Sequence, residues 1–266
     1  MGFIDLLQGV PRPIKSLFSH SRSPLNMCQS DRPGIRSSRR QWLFNAASAA
    51  TIAAHFGLSS RAARAAPVGG DQTVPDSLSP RDALDHLYAG NRRFIAGDTT
   101  APNRDIPRLR EVAPRQTPFA AFLGCSDSRV PIEIVFDQGF GDLFVTRIAG
   151  NVAATENIAS LEFGTQVLGA KVLYVLGHTS CGAVAAAAAG APVPGQISAL
   201  FQHIRPAIRA AKGDPVVAIR ENVKIQAQTL MEASTVISSL VATGKVIVAG
   251  GIFDLTTGKV EPVELG

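Results

Sequence analysis

Three residues in two separated segments have side chains that bind metal ions. Cys125 follows one apolar run, and His178 and Cys181 follow another, with 52 residues between Cys125 and His178. Cysteine sulfur and histidine nitrogen suit zinc, and a set of three protein ligands leaves one position open for water. Because zinc lowers the pKa of bound water to about 7, hydroxide forms near neutral pH and can attack a small electrophile. The residues therefore predict a catalytic site with one Zn²⁺ in each subunit.

A carboxylate and a guanidinium closely follow the first cysteine. Asp127 and Arg129 lie two and four residues after Cys125. A carboxylate beside a cation stays ionised and is held by a charge-assisted hydrogen bond. Asp127 on its own could occupy the open metal position, whereas Arg129 would draw it away and leave room for water. We therefore expect a catalytic gating pair, with Asp127 a metal ligand only in a closed state; a plain structural salt bridge is the alternative.

A disulfide is the alternative to a metal site at the two cysteines. Cys28 lies near the N-terminus, which leaves Cys125 and Cys181 in the rest of the chain. Two cysteines often form a disulfide in an exported protein, and the N-terminal residues described below predict export. Their placement after two predicted strands, beside His178, favours metal ligation instead.

Alternating strands and helices are predicted to position these residues. In open α/β sheets, functional groups gather beyond the carboxyl ends of the strands, where the two segments would meet. The pattern predicts a single α/β domain with a central, mostly parallel sheet flanked by helices. Continuous apolar runs predict strands buried on both faces at residues 119–123, 143–148, 171–176 and 245–248. Helical spacing is found at residues 158–168, 182–189, 197–211 and 218–241.

The ends of this domain also have sequence signals. Ser79 and Pro80 predict a helix start, and that helix is expected to end at Gly97. Residues 101–118 read as a connection rich in proline and arginine, and residues 252–260 as a hairpin at a sheet edge. We therefore place the folded domain at 80–266, after a linker at 67–79 rich in small and turn-forming residues.

Residues 1–66 have the order of an export signal. An arginine pair at 39–40 precedes an alanine-rich apolar stretch at 44–58, and residues 61–67 contain small residues spaced as in an A-x-A cleavage site. The arginine pair resembles a twin-arginine signal, which predicts a periplasmic or secreted protein. An organelle transit peptide is the alternative, and Met27 is an alternative start.

The charge distribution argues against a nucleic-acid partner. The formal net charge is +5, but residues 1–65 hold nine of the 26 Lys and Arg and only two of the 21 acidic residues. The basic character therefore belongs to the leader, and the remainder is slightly acidic. The stretch at 44–58 is too short to make a stable membrane span.

The chemical motifs together resemble the β-class carbonic anhydrases. The two metal-binding segments read Cys-Ser-Asp-Ser-Arg and His-Thr-Ser-Cys-Gly. Several separate motifs in the right order make this resemblance far more specific than one short motif would. The resemblance covers residues 80–262, with motifs at 89–94, 125–129, 136–145, Arg147, 149–151, 178–182 and 254–260.

This resemblance implies a function and a quaternary structure. It implies reversible hydration of CO₂ to bicarbonate and a proton, with Cys125, His178 and Cys181 as zinc ligands. Asp127 and Arg129 would be the gating pair. It also implies a β-carbonic-anhydrase-like fold that forms a homodimer or tetramer, with N-terminal helices packing on the dimer partner.

Two further positions follow from the same resemblance. Gln138 corresponds to a substrate-orienting glutamine, although the loop 138–141 shifts it by one residue against some relatives. Phe163 stands where relatives often have tyrosine, so a hydroxyl is absent there.

Two other classes of function stay open at this point. The chain could be a structural-zinc or bicarbonate-sensing protein without turnover, which the intact pair of Asp127 and Arg129 argues against. It could also be a zinc hydrolase of a CO₂-like molecule such as CS₂ or COS, which the shape of the access path would decide.

Overall fold

The computed structural model describes residues 78–266. The predicted export signal at 1–66 and the linker up to residue 77 lie outside the described residues, so both stay predictions. The helix α1 spans Pro80–Ala96, as the sequence predicts. The hydroxyl of Ser79 accepts the N–H of Asp82 at 3.1 Å, and Gly97 ends the helix with a φ of 75° that favours glycine.

A five-stranded sheet lies at the centre of the described domain. Its strands are β1 (Ala120–Gly124), β2 (Leu143–Arg147), β3 (Val172–His178), β4 (Ile247–Phe253) and β5 (Val260–Val263). Their order is β2-β1-β3-β4-β5. The first four strands are parallel, and β5 pairs antiparallel with β4 at an edge. The prediction of a mostly parallel sheet with a C-terminal hairpin at its edge is confirmed.

Helices cover both faces of this sheet, as predicted. The helices after α1 are α2 (Ile106–Val112), α3 (Ile132–Val135), α4 (Thr155–Glu162), α5 (Gly182–Ala189), α6 (Ser198–Ala210), α7 (Pro215–Ala233) and α8 (Thr235–Ala242). Leu123 and Val175 pack into one apolar cluster together with residues of α5, α6 and α7. Phe122 and Tyr174 pack into a second cluster with α1. Because each fully buried side chain contributes about 1.5–3 kcal/mol, this packing holds the strand ends firmly.

The strand register explains why the two metal-binding segments meet. Gly124, the last residue of β1, pairs with Leu176 of the neighbouring β3. Cys125 follows directly after β1, and β3 ends two residues beyond Leu176, at His178. Both residues therefore lie at the carboxyl ends of adjacent central strands.

One predicted helix is two helices in the structure. Residues 218–241 were expected to form one helix, but α7 ends at Ala233 and α8 begins at Thr235. Ser234 between them is extended; its hydroxyl accepts the N–H of Ile237 at 3.0 Å and donates to Glu162 at 2.6 Å. A contact with a distant helix therefore helps to hold the break in place.

Other segments differ from the sequence expectation in smaller ways. The stretch expected to be helical at 158–168 starts at Thr155 and ends in a π-helical turn, Phe163–Val167. The expected connection at 101–118 contains the short helix α2. The four-residue helix α3 was not predicted.

The helix α1 packs on the sheet of its own chain. Leu84 and Leu87 are buried in the cluster that contains Phe122 and Tyr174. Packing of N-terminal helices on a dimer partner stays a prediction. Over residues 78–266, every helix is too short or too polar to cross a bilayer.

Candidate metal centre

Three buried donor residues converge where β1 and β3 end. One ligand atom from each of Cys125, His178 and Cys181 lies within 4.8 Å of the others. All three residues are at most 4% exposed. Both cysteines are free thiols, so the structure pairs them with a histidine in a donor set and not with each other in a disulfide.

The histidine presents one ring nitrogen to the centre. Its Nδ1 atom lies 2.9 Å from the carbonyl oxygen of Thr179. Because a carbonyl only accepts hydrogen bonds, Nδ1 carries the proton in the neutral imidazole, and Nε2 of His178 then has the lone pair. Within residues 78–266 this buried Nε2 has no hydrogen-bond partner. An orphaned nitrogen beside two sulfurs is the donor chemistry that zinc requires, so these residues fit the ion.

The pKa values of the two thiols shift in opposite directions. The pKa of Cys125 is lowered to about 4, chiefly by the hydrogen bond from the Cys181 thiol; burial opposes this effect. The backbone N–H of Gly150 lowers it further. The same sulfur–sulfur hydrogen bond, together with burial, raises the pKa of Cys181. A bound dication would hold both sulfurs as thiolates, with release of any thiol proton.

Backbone N–H groups surround each sulfur. The N–H of Gly150 donates to Sγ of Cys125 at 3.4 Å. Cys181 is the residue at the start of α5, and the N–H groups of Val184 and Ala183 act to lower its pKa. The positive end of the helix therefore favours a thiolate at this position.

Asp127 and Arg129 form a two-pronged ion pair at the rim of the centre. The guanidinium donates to Oδ1 at 2.9 Å and to Oδ2 at 2.7 Å, and the backbone N–H of Arg129 donates to Oδ1 at 2.9 Å. These bonds hold the pKa of Asp127 well below its usual range, although burial acts against them. The Asp127 and Arg129 side chains are 17% and 53% exposed, so solvent reaches the pair.

The pair lies against the second metal-binding segment. Oδ2 of Asp127 is 3.8 Å from Nε2 of His178. Nη2 of Arg129 donates to the carbonyl oxygen of Ser180 at 3.4 Å. Ser180 has a φ of 56°, which turns the chain sharply between the two ligands of this segment. The structure therefore brings together the five residues predicted as ligands and gating pair.

Arg147 is a site residue to which the sequence assigned no role. It ends β2, and its guanidinium donates to the carbonyl oxygens of Cys125 at 2.9 Å and Asp127 at 2.6 Å. One cation therefore holds both ends of the turn that carries a ligand and the gating carboxylate. The available signal was its place among the motifs of the resemblance, to which the sequence attached no role.

Gln138 lies in a different environment from the three ligands. Its side-chain amide donates to the carbonyl oxygen of Phe136 at 2.9 Å, and its backbone carbonyl accepts from Arg104 at 2.9 Å. It lines a groove of about 440 Å³ together with Phe140 and Leu143. Its role in orienting substrate stays a prediction.

Comparison with known proteins supports the resemblance inferred from the motifs. The sequence profile of the family described as carbonic anhydrase matches residues 120–260. "Carbonic anhydrase 2" of Mycobacterium tuberculosis is 35% identical over 191 residues, which cover 69% of this chain and 92% of that protein. A profile of the C-terminal region of the DNA mismatch repair protein MutS matches only residues 71–89, a segment too short to indicate a second domain.

Solved structures agree with this relationship. The β-carbonic anhydrase of Coccomyxa in complex with acetazolamide is 27% identical, with a TM-score of 0.54, over 71% of this chain and 86% of that one. A tetrameric β-carbonic anhydrase of Sordaria macrospora has the same fold, with a TM-score of 0.54 and 21% identity over 68% of this chain and 97% of that one. The profile match over more than half of the sequence and the 35% identity show that this chain belongs to the β-class carbonic anhydrase family.

Proposed function

We propose that this protein catalyses the zinc-dependent, reversible hydration of CO₂ to bicarbonate and a proton. The observation that carries the proposal is the convergence of two sulfurs and one unpartnered imidazole nitrogen within 4.8 Å. An ionised carboxylate lies 3.8 Å from that nitrogen. Membership of the β-class carbonic anhydrase family supports the same reaction.

The chain's own donor atoms would hold one zinc ion in each subunit. The donors are Sγ of Cys125, Nε2 of His178 and Sγ of Cys181. Bound zinc supplies a Lewis acid that lowers the pKa of water to about 7. Burial of the donors excludes bulk water from the sulfurs, and the backbone N–H groups near them replace that solvation.

Asp127 acts as a hydrogen-bond acceptor and not as a proton donor. Its ion pair with Arg129 keeps the carboxylate ionised throughout the neutral range. An ionised carboxylate at the rim can accept a hydrogen bond from a hydroxyl group in the site and so orient it. Arg129 holds the carboxylate in place; loss of that contact would let Asp127 approach the donors and take the open position, which is the proposed closed state.

We also propose that the protein works as a homodimer or tetramer. Among residues 78–266, strand β2 lies at an edge of the sheet and its side chains are only partly covered. Ile134 and Phe140, beside it in the groove with Leu143, are 47% and 42% exposed. An uncovered apolar edge favours self-association, and the Sordaria macrospora relative is described as tetrameric. Light scattering of the purified protein measures the oligomeric state, and a monomer at micromolar concentration would refute the proposal.

Export is a further part of the proposed function. We propose that the arginine pair at 39–40 directs the folded, zinc-loaded protein through a twin-arginine route to the periplasm. Cleavage within the small-residue segment 61–67 would remove the signal and leave the linker at the new N-terminus. N-terminal sequencing of the processed protein tests this, with replacement of both arginines by lysine as the matched variant. Wild-type export of that variant would contradict the assignment.

Stopped-flow CO₂ hydration combined with metal analysis tests the central proposal. We expect one zinc per chain and hydration that is lost when a chelator removes the metal. Zinc without any CO₂ hydration would favour a structural or bicarbonate-sensing role instead. Faster turnover of CS₂ or COS than of CO₂ would favour the hydrolase class.

A further inference from the structure

We propose that Asn222 and Gln226, two buried amides on α7, are positioning residues for the zinc ligand Cys125. They hold the loop 150–153 so that the N–H of Gly150 stays directed at the Cys125 sulfur. The inference rests on the proposed function, because it takes Cys125 to be a zinc ligand.

Two amide side chains form hydrogen bonds with the backbone at the two ends of the loop 150–153. Nδ2 of Asn222 donates to the carbonyl oxygen of Gly150 at 2.9 Å. Oε1 of Gln226 accepts the backbone N–H of Ala153 at 2.8 Å. The residues are 1% and 2% exposed, so water does not compete for these bonds.

The two amides also hold each other. Nε2 of Gln226 donates to Oδ1 of Asn222 at 3.0 Å and to the carbonyl oxygen of His203 on α6 at 3.0 Å. Each amide therefore has a defined orientation, because reversing either one would put two donors or two acceptors face to face. The network ties α6, α7 and the loop into one unit.

Gly150 is the residue through which this network reaches the metal centre. Its carbonyl is held by Asn222, and its N–H donates to Sγ of Cys125 at 3.4 Å. Its φ of 76° favours glycine, and a Cβ atom there would lie 2.8 Å from Ile204 and 3.3 Å from Ala183. Backbone conformation, packing and the Asn222 bond together leave Gly150 little freedom to turn away from the sulfur.

The N–H···S bond affects the properties of a thiolate ligand. A donor hydrogen bond withdraws negative charge from sulfur, which adjusts how strongly that sulfur donates to a metal. Partners of this kind also orient the ligand, and their loss typically costs about 10–100-fold in metal affinity or activity. Removing the loop anchor should therefore change the metal centre without touching any ligand.

The test uses the full-length protein and two variants that remove the anchor. Asn222→Leu keeps the approximate size of the side chain without adding a charge, but it has no N–H to give to Gly150 and no acceptor for Gln226. Gln226→Met keeps a similar length and loses the acceptor for Ala153, which covers the case in which the first variant does not fold. Leu230→Ala is the matched control, because Leu230 is a fully buried apolar residue of the same helix.

We expect both anchor variants to raise the zinc dissociation constant about 10-fold, as measured by competition with a chromophoric chelator. In the cobalt(II) form, the sulfur-to-metal charge-transfer band should move to longer wavelength, since the thiolate keeps more charge. Leu230→Ala should unfold at a lower temperature than wild type. It should nevertheless keep the wild-type zinc dissociation constant and the wild-type wavelength of the cobalt charge-transfer band. In the wild type loaded with NMR-active cadmium, a scalar coupling from the metal to the Gly150 amide proton should be visible.

A wild-type zinc dissociation constant and charge-transfer wavelength in the anchor variants would overturn this inference but not the proposed function. Equal changes of both quantities in Leu230→Ala, or the absence of a cadmium coupling to the Gly150 amide proton, would do the same. A wild-type protein that binds no zinc would instead overturn the proposed function, and this inference with it.

Discussion

Oδ2 of Asp127 lies 3.8 Å from Nε2 of His178, and the same oxygen accepts a hydrogen bond from Arg129 at 2.7 Å. The carboxylate is therefore close to the predicted zinc ligand but engaged by the guanidinium. Whether water or the Asp127 carboxylate occupies the open metal position depends on this arrangement.

Removal of the gating carboxylate should separate metal binding from catalysis. We expect Asp127→Ala to keep a full complement of zinc, because the three donors remain, and to lower the rate of CO₂ hydration about 10–100-fold or alter its pH profile. Stopped-flow assays across pH with metal analysis check this. Asp85→Ala, which removes an exposed carboxylate paired with Arg81, is the control. Wild-type rates for Asp127→Ala at every pH would remove the pair from the mechanism.

Loss of one sulfur should abolish the metal centre. We expect Cys181→Ser to lower bound zinc sharply and to abolish hydration, since a hydroxyl is a much poorer zinc ligand than a thiolate. Cys28→Ser should keep zinc and activity, because Cys28 lies in the predicted leader. Atomic absorption and stopped-flow assays measure both properties. Full activity of Cys181→Ser would refute the ligand assignment.

Arg147 should be needed for the geometry of the turn that it holds. We expect Arg147→Lys to lower kcat/KM for CO₂ about 10-fold, because a single ammonium cannot reproduce the two bonds to the carbonyls of Cys125 and Asp127. Arg81→Ala, at an exposed ion pair, should leave the rate unchanged. An unchanged rate in the lysine variant would mean that the turn holds its shape without the guanidinium.

Asp137 should make stability depend on acidic pH. Burial opposes ionisation, but hydrogen bonds from Arg93 and from Thr100 lower its pKa from 3.8 to about 2. A carboxyl whose pKa is lower in the folded state stabilises that state above its unfolded pKa, and this contribution is lost as pH falls from about 4 to about 2.

The matching variant is Asp137→Asn. It should lower the free energy of unfolding by about 1–3 kcal/mol at neutral pH, since donors to a buried carboxylate lose their partner charge. The difference from wild type should shrink below pH 4, as urea unfolding at several pH values would measure. A difference that stays constant down to pH 2 would contradict the role of the charge.

Much of the fold could be predicted because its signals are local. Continuous apolar runs predicted strands at 119–123 and 171–176, which the structure has at Ala120–Gly124 and Val172–His178. The start of α1 was readable from Ser79 and Pro80, since a capping hydroxyl and a proline act within one turn. The break at Ser234 was not predicted: its cap on Ile237 is a local signal, but its bond to Glu162, 72 residues earlier in the chain, is not.

The sequence by itself determined the donor set at Cys125, His178 and Cys181, because metal preference follows from residue type. It also determined the carboxylate–guanidinium pair two and four residues after the first donor, because such short-range pairing follows from spacing. Only the tertiary structure decided that Nε2 is the free nitrogen, since that depends on the carbonyl that Nδ1 meets. It also decided which backbone N–H group donates to the Cys125 sulfur and which side-chain amides hold the loop that carries this N–H. Asn222 reaches Gly150 across 72 positions of the chain, and such a contact follows from the packing of α7 against the loop and not from any local pattern.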